Sequence, residues 1–118
     1  RMTFASHDNI LVTTSGGELS FAHKIRSVVE DEDQCYVIVD APEGVVFNDN
    51  VFCVGLDGAV RWQVENKLKG DEFAFYTGAV VREEELFLFN FGGFTVLVDR
   101  DNVRVQEFRF DKGMEATW

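Results

Sequence analysis

Residues 51–65 read VFCVGLDGAVRWQVE. An apolar run is followed by Leu56-Asp57-Gly58, and then Val60, Trp62 and Val64 alternate with Arg61, Gln63 and Glu65. Glycine reaches positive φ without a steric cost, so Asp-Gly between two such runs is a strong hairpin signal. Successive strand side chains point to opposite faces. The stretch therefore predicts an apolar strand joined to an amphipathic one, with Val60, Trp62 and Val64 sharing the buried face.

The same pattern extends in both directions. Segments 10–14, 18–29, 35–41, 50–54, 59–65, 72–77, 85–91, 94–99 and 103–110 are rich in β-branched and aromatic residues, and Gly, Asn or acidic breaks separate them. No segment carries helical periodicity over three turns. Gly17, Gly58 and Asn102 stand in similar turns 41 and 44 residues apart, each followed by an alternating strand. CYVIV and ELFLF are apolar on both faces, so they should be covered on both sides. The order of inner strands before an amphipathic outer strand matches a four-stranded blade.

On these residues, VFCVGLDGAVRWQVE resembles the hairpin of the pyrroloquinoline-quinone-type β-propeller repeat, and 73–110 resembles it more loosely. The resemblance implies a blade-like meander and assigns no quinone ligand, because no residue here matches one. A ring needs at least about four blades, and this chain holds about two units plus an opening hairpin. The expected fold is all-β: an antiparallel meander of about two blade-like repeats plus an opening hairpin, folded as a small sandwich or barrel. One domain, 1–118, is expected.

Composition excludes several partners. Eleven Lys and Arg against 21 Asp and Glu give a net charge of −10. Nucleic acid is disfavoured, since its phosphates are bound through basic clusters. Anionic membranes are disfavoured for the same reason, and no apolar run approaches the ~20 residues of a spanning helix. Acidity favours a basic protein partner, and a high-salt habitat would give the same balance. Cys35 and Cys53 both lie in apolar runs, which predicts buried free thiols in a reducing compartment. With no leader-like segment visible, the cytoplasm is expected.

Catalytic constellations are sparse. His7 is read in a loop and His23 on a strand, with no nucleophile-elbow motif beside them. Asp99-Arg100-Asp101-Asn102 opens like a calcium loop but lacks its glycine and its closing glutamate. Two cysteines without paired histidines make no zinc site. No metal, no cofactor and no enzymatic activity are expected. Gly92-Gly93 is a turn among Phe87, Phe89, Phe91 and Phe94, read as core, and Asn90 among them needs a buried partner.

The longest irregular stretch, APEGVVFNDN (41–50), is where binding residues tend to sit on a rigid β scaffold. Val45, Val46, Phe47, Asn48 and Asp49 are its candidate interaction residues. Phe108 and Phe110 complete the set. In VRVQEFRF they are out of step with Val103 and Val105 unless a bulge near Gln106-Glu107 restores register, and an unbulged edge strand would offer a dimer or partner contact. The expected function is a non-catalytic acidic interaction module, of the inhibitor or immunity type, for a basic partner. The alternative is a ligand-binding or enzymatic β-barrel with a Phe-lined pocket and His23 or Asp40 as polar handles.

Overall fold

The computed structural model describes residues 3–65 and 74–98, and the backbone of the strand at 105–110. Eleven strands and no helix occur among these residues. They form three antiparallel sheets. The first contains β1 (Phe4–His7), β2 (Ile10–Thr13) and β3 (Glu18–Ser20). The second contains β4 (Ile25–Asp31), β5 (Gln34–Val39), β6 (Val51–Gly55) and β7 (Val60–Gln63). The third contains β8 (Tyr76–Arg82), β9 (Glu85–Asn90), β10 (Phe94–Val98) and β11 (Val105–Phe110), with β8 and β11 at its edges. Every sheet is a simple meander, so two four-stranded units follow an opening unit, as the turn spacing predicts.

The middle sheet is covered on both faces. Phe4, Leu11, Phe21 and Ile25 pack with Cys35, Val37, Val39 and Val54 on one side of it. Tyr36, Ile38, Val51, Cys53 and Val64 pack with Tyr76, Leu86, Leu88, Val96 and Val98 on the other. Alternate residues of β5 thus enter two different cores, which is why CYVIV is apolar throughout. The sheets stack as layers and do not close into a barrel, so β5 is buried by neighbouring sheets instead of by its own sheet curling over.

Four expectations need correction. First, the opening unit has three strands, because residues 4–7 pair with 10–13. His7 therefore ends a strand, exposed, and is not in a loop. Second, 18–29 is not one strand. The chain turns from the first sheet into the second after Ser20, and the corner is closed by the neighbouring turn: Phe21 N donates to Asn9 O (2.8 Å), Asn9 Nδ2 to Phe21 O (2.8 Å) and Ile25 N to Asp8 O (2.8 Å). His23 lies in this corner instead of on a strand.

Third, the strand expected at 72–77 begins at Tyr76 and runs on to Arg82, through a Gly-Ala pair of low strand propensity. Residues 72 and 73 lie outside the described residues. Fourth, Val60 does not share a face with Trp62 and Val64. Cys53 pairs with Trp62 but Val54 pairs with Val60, so Arg61 is the extra residue of a bulge. Val60 is consequently exposed, while Trp62 packs on Tyr36 at 5.8 Å between ring centroids.

At the last strand the register pairs Val98 with Val105, Val96 with Phe108 and Phe94 with Phe110. Gln106 is the residue passed over, so the bulge sits where the out-of-step pattern requires it. β11 is an edge strand. The side chains of Phe108 and Phe110, residues 99–104 and the residues after 110 lie outside what is described.

Candidate functional site

Between β5 and β6 the chain leaves the middle sheet as loop 40–50. A bond from Val45 N to Pro42 O (3.0 Å) closes a turn at its tip. Val45 and Val46 stay on the surface, 43% and 41% exposed. Phe47 turns inward, packing 6.4 Å from Phe52 and 5.7 Å from His23 between ring centroids. The expected Val-Val-Phe patch is thus two valines on the outside and one phenylalanine on the core. Asp49 is exposed, and its carbonyl accepts from Gln63 Nε2 (2.7 Å).

Asn48 and Asn50 act in the opposite sense from a binding surface: they fasten the loop to the third sheet. Asn48 Oδ1 accepts from Ala74 N (2.9 Å). Buried Asn50 donates through Nδ2 to Val39 O (3.0 Å) and Tyr76 O (2.9 Å) and accepts at Oδ1 from Tyr76 N (2.9 Å). Asn90 donates to Ala74 O (2.6 Å) and accepts from Gly92 N (2.7 Å), which answers the requirement for a buried partner. A carboxamide carries donor and acceptor on one planar head, so it can satisfy both backbone groups of a residue. Three of them hold the backbone of 74–76 in place.

Phe75 sits between two fastened residues. Its carbonyl accepts from Phe91 N (2.9 Å), and the two rings stack with centroids 4.7 Å apart and planes 23° from parallel. Phe91 is 61% exposed. In the same cleft, Arg26 Nη1 meets Asp40 Oδ1 at 2.9 Å while Arg26 Nε donates to Thr77 O at 3.2 Å. Together with Pro42, Glu43, Gly44 and Val45, the two rings and the Arg26–Asp40 pair line an open cleft of about 600 Å³.

The cleft wall brings together two carboxylates, Asp40 and Glu43, one guanidinium, Arg26, and two aromatic rings. Neither histidine lies in its wall, and burial pushes the Cys35 and Cys53 thiols, which lie in the two cores, up to about 12. Burial, reinforced by the Asp31 hydrogen bond, also raises the Tyr36 hydroxyl. Among the described residues no group of three or more His, Cys, Asp or Glu gathers to hold a metal. No helix among them is long and apolar enough to cross a membrane.

A family model matches residues 2–110. The chain belongs to the family described as Domain of unknown function (DUF7957). No curated protein and no solved structure matches it. The whole cleft, the three asparagines and both cores fall within the DUF7957 match.

Phe75 and Arg26 were not among the sequence candidates, and Phe91, expected in the core, is 61% exposed. Phe91 had a readable signal: it follows the end of β9 and directly precedes Gly92-Gly93, so it belongs to a turn, where a large ring is not automatically buried. Arg26 had none, because its role depends on the third sheet meeting β4.

Proposed function

We propose that this chain is a non-catalytic interaction module that binds a basic protein partner through loop 41–47 and the adjoining cleft. The observation that carries the reading is Phe91, an aromatic ring 61% exposed on a chain of net charge −10, lining one cleft with exposed Val45. Apolar groups grouped on a charged surface mark an interaction site. The surrounding acidity speeds the encounter with a cationic partner and repels anionic ones. An inhibitor or immunity-type role, masking a basic enzyme, is the form of this reading that uses both features. It places the chain in the cytoplasm, with both thiols reduced. The face-to-face stacking of successive meanders is in keeping with a propeller-blade kinship in architecture.

The test is a photo-cross-linking residue placed at Val46, with the same residue at exposed Val12 of β2 as the control. The expected adduct is specific to position 46, contains a basic protein that rebinds when purified, and weakens steeply as salt rises. Equal labelling at both positions, or a salt-independent acidic partner, would contradict the reading.

A further inference from the structure

The cleft lining holds two unlike sets of residues. One is a π surface, with one face of the Phe91 ring stacked on Phe75 and the ring still 61% exposed. Asn48, Asn50 and Asn90 fix the backbone that carries Phe75, and Phe75 in turn holds Phe91 N. The other set carries three charges. Arg26 and Asp40 neutralise each other, and Arg26 also donates to Thr77 O. Exposed Glu43 has no ion pair among the described residues, so this set is left with one net negative charge.

We propose that this cleft receives an arginine side chain from an exposed segment of a basic protein. The guanidinium lies flat on Phe91 and pairs with Glu43, and its methylene stem runs along Pro42 and Val45. The proposal rests on the interaction reading above and specifies what that site recognises. A cation is drawn to the negative face of an aromatic ring within about 6 Å of its centroid. Guanidinium is planar and weakly hydrated, so it stacks where an ammonium stays solvated. Its stem buries against apolar surface while the charge reaches a carboxylate. A cleft of about 600 Å³ lies within the size of sites that take small groups.

The other occupants fit less well. An anion would have to use Arg26, whose charge Asp40 already balances, while passing Glu43 against a chain of net charge −10. A second copy would bring the same acidic surface against itself.

The test is a nuclear magnetic resonance titration of the full chain with the peptides acetyl-Gly-Leu-X-Leu-Gly-amide, where X is arginine, citrulline, lysine or glutamate. Citrulline keeps the shape of arginine and removes the charge. The arginine peptide should move the amides of Gly44, Val45, Phe75 and Phe91, with citrulline about tenfold weaker and lysine between them. Phe91→Ala and Glu43→Gln should each weaken the arginine peptide about fivefold while the spectrum stays dispersed. Equal binding of citrulline, tighter binding of glutamate, shifts away from the cleft or no saturable shifts would overturn the proposal. So would concentration-dependent shifts of the same amides without peptide, which would make a second copy the occupant. If the Val46 cross-link to a basic partner persists while arginine selectivity fails, only the arginine assignment falls. If arginine binds but no partner cross-links, the interaction reading falls instead.

Discussion

The middle sheet meets its two neighbours in different ways. Toward the first sheet, backbone meets backbone: a Cβ added to Gly17 would stand 2.6 Å from the carbonyl of Asp57, and one added to Gly58 would stand 3.0 Å from Glu18 N. Ser15 Oγ donates to Leu56 O across the same contact, and the Glu30 carboxylate accepts from Thr3 N and Phe4 N (both 3.1 Å). Toward the third sheet, Asn48 and Asn50 join loop 40–50 to residues 74–76 through side-chain amides, while Asn90 ties β9 to Ala74 within the third sheet itself. Close backbone approach leaves no room for a ligand. On the other side the two layers share a buried core, Asn48 and Asn50 tie the loop to residues 74–76 beside it, and the cleft lies between that loop and Phe75.

The comparison can be broken at either seam. Asn50→Ala removes three hydrogen bonds and leaves Val39 O and both backbone groups of Tyr76 unsatisfied in a buried place. A loss of about 3–5 kcal/mol in denaturant unfolding is expected. A cost under about 1 kcal/mol would mean that water replaces the amide and the bridge is not structural.

Gly17→Ala tests the other seam. Its neighbours there are backbone atoms that cannot rotate away, so overpacking by one methyl should cost about 2–3 kcal/mol. A neutral effect would show that the first sheet slides freely on the second.

The buried thiols sharpen the contrast, since Cys35 lies in one core and Cys53 in the other. Both folded values are raised from 9.0 to about 12 by burial, so each thiol favours the folded state while it is protonated. That contribution is full below pH 9 and is lost as pH rises toward 12. Each cysteine should steepen the fall of unfolding free energy by about 1.4 kcal/mol per pH unit in that window. Alanine at either position should remove one such increment. Unequal increments would identify the core that water enters.

The smallest effect concerns Tyr76, whose hydroxyl is buried with no hydrogen-bond partner among the described residues. Tyr76→Phe should leave the protein unchanged or up to about 1 kcal/mol more stable by thermal melt, because the hydroxyl is desolvated without compensation. A clear loss of stability would reveal a partner for that hydroxyl.

Strand chemistry and layer count were legible in the sequence to different degrees. Period-two alternation and Asp-Gly turns gave the meanders, and the unbroken apolarity of 35–39 gave a strand covered on both faces. The recurrence of Gly17 and Gly58 was visible as a spacing, yet not that the two turns touch. The Arg61 bulge was hidden, because the alternation of 60–64 looks regular until the register on Cys53 and Val54 is known. Loop 41–50 was located, but its residues divide by role: Val45 and Val46 face outward, Phe47 packs on the core, and Asn48 fastens the loop. That division depends on residues 74–76, which contact the loop only through tertiary packing.

Asn48, Asn50 and Asn90 hold the Phe75–Phe91 platform, and amide hydrogen exchange in Asn90→Ala reads out that support. Phe91 N is bonded to Phe75 O, Val37 lies in the middle of β5 and Leu11 in β2, so their amides report the platform, the middle sheet and the first sheet. The Phe91 amide should exchange at least about tenfold faster in the variant while Val37 and Leu11 keep most of their protection. Equal acceleration of all three, or an unchanged Phe91, would contradict that role.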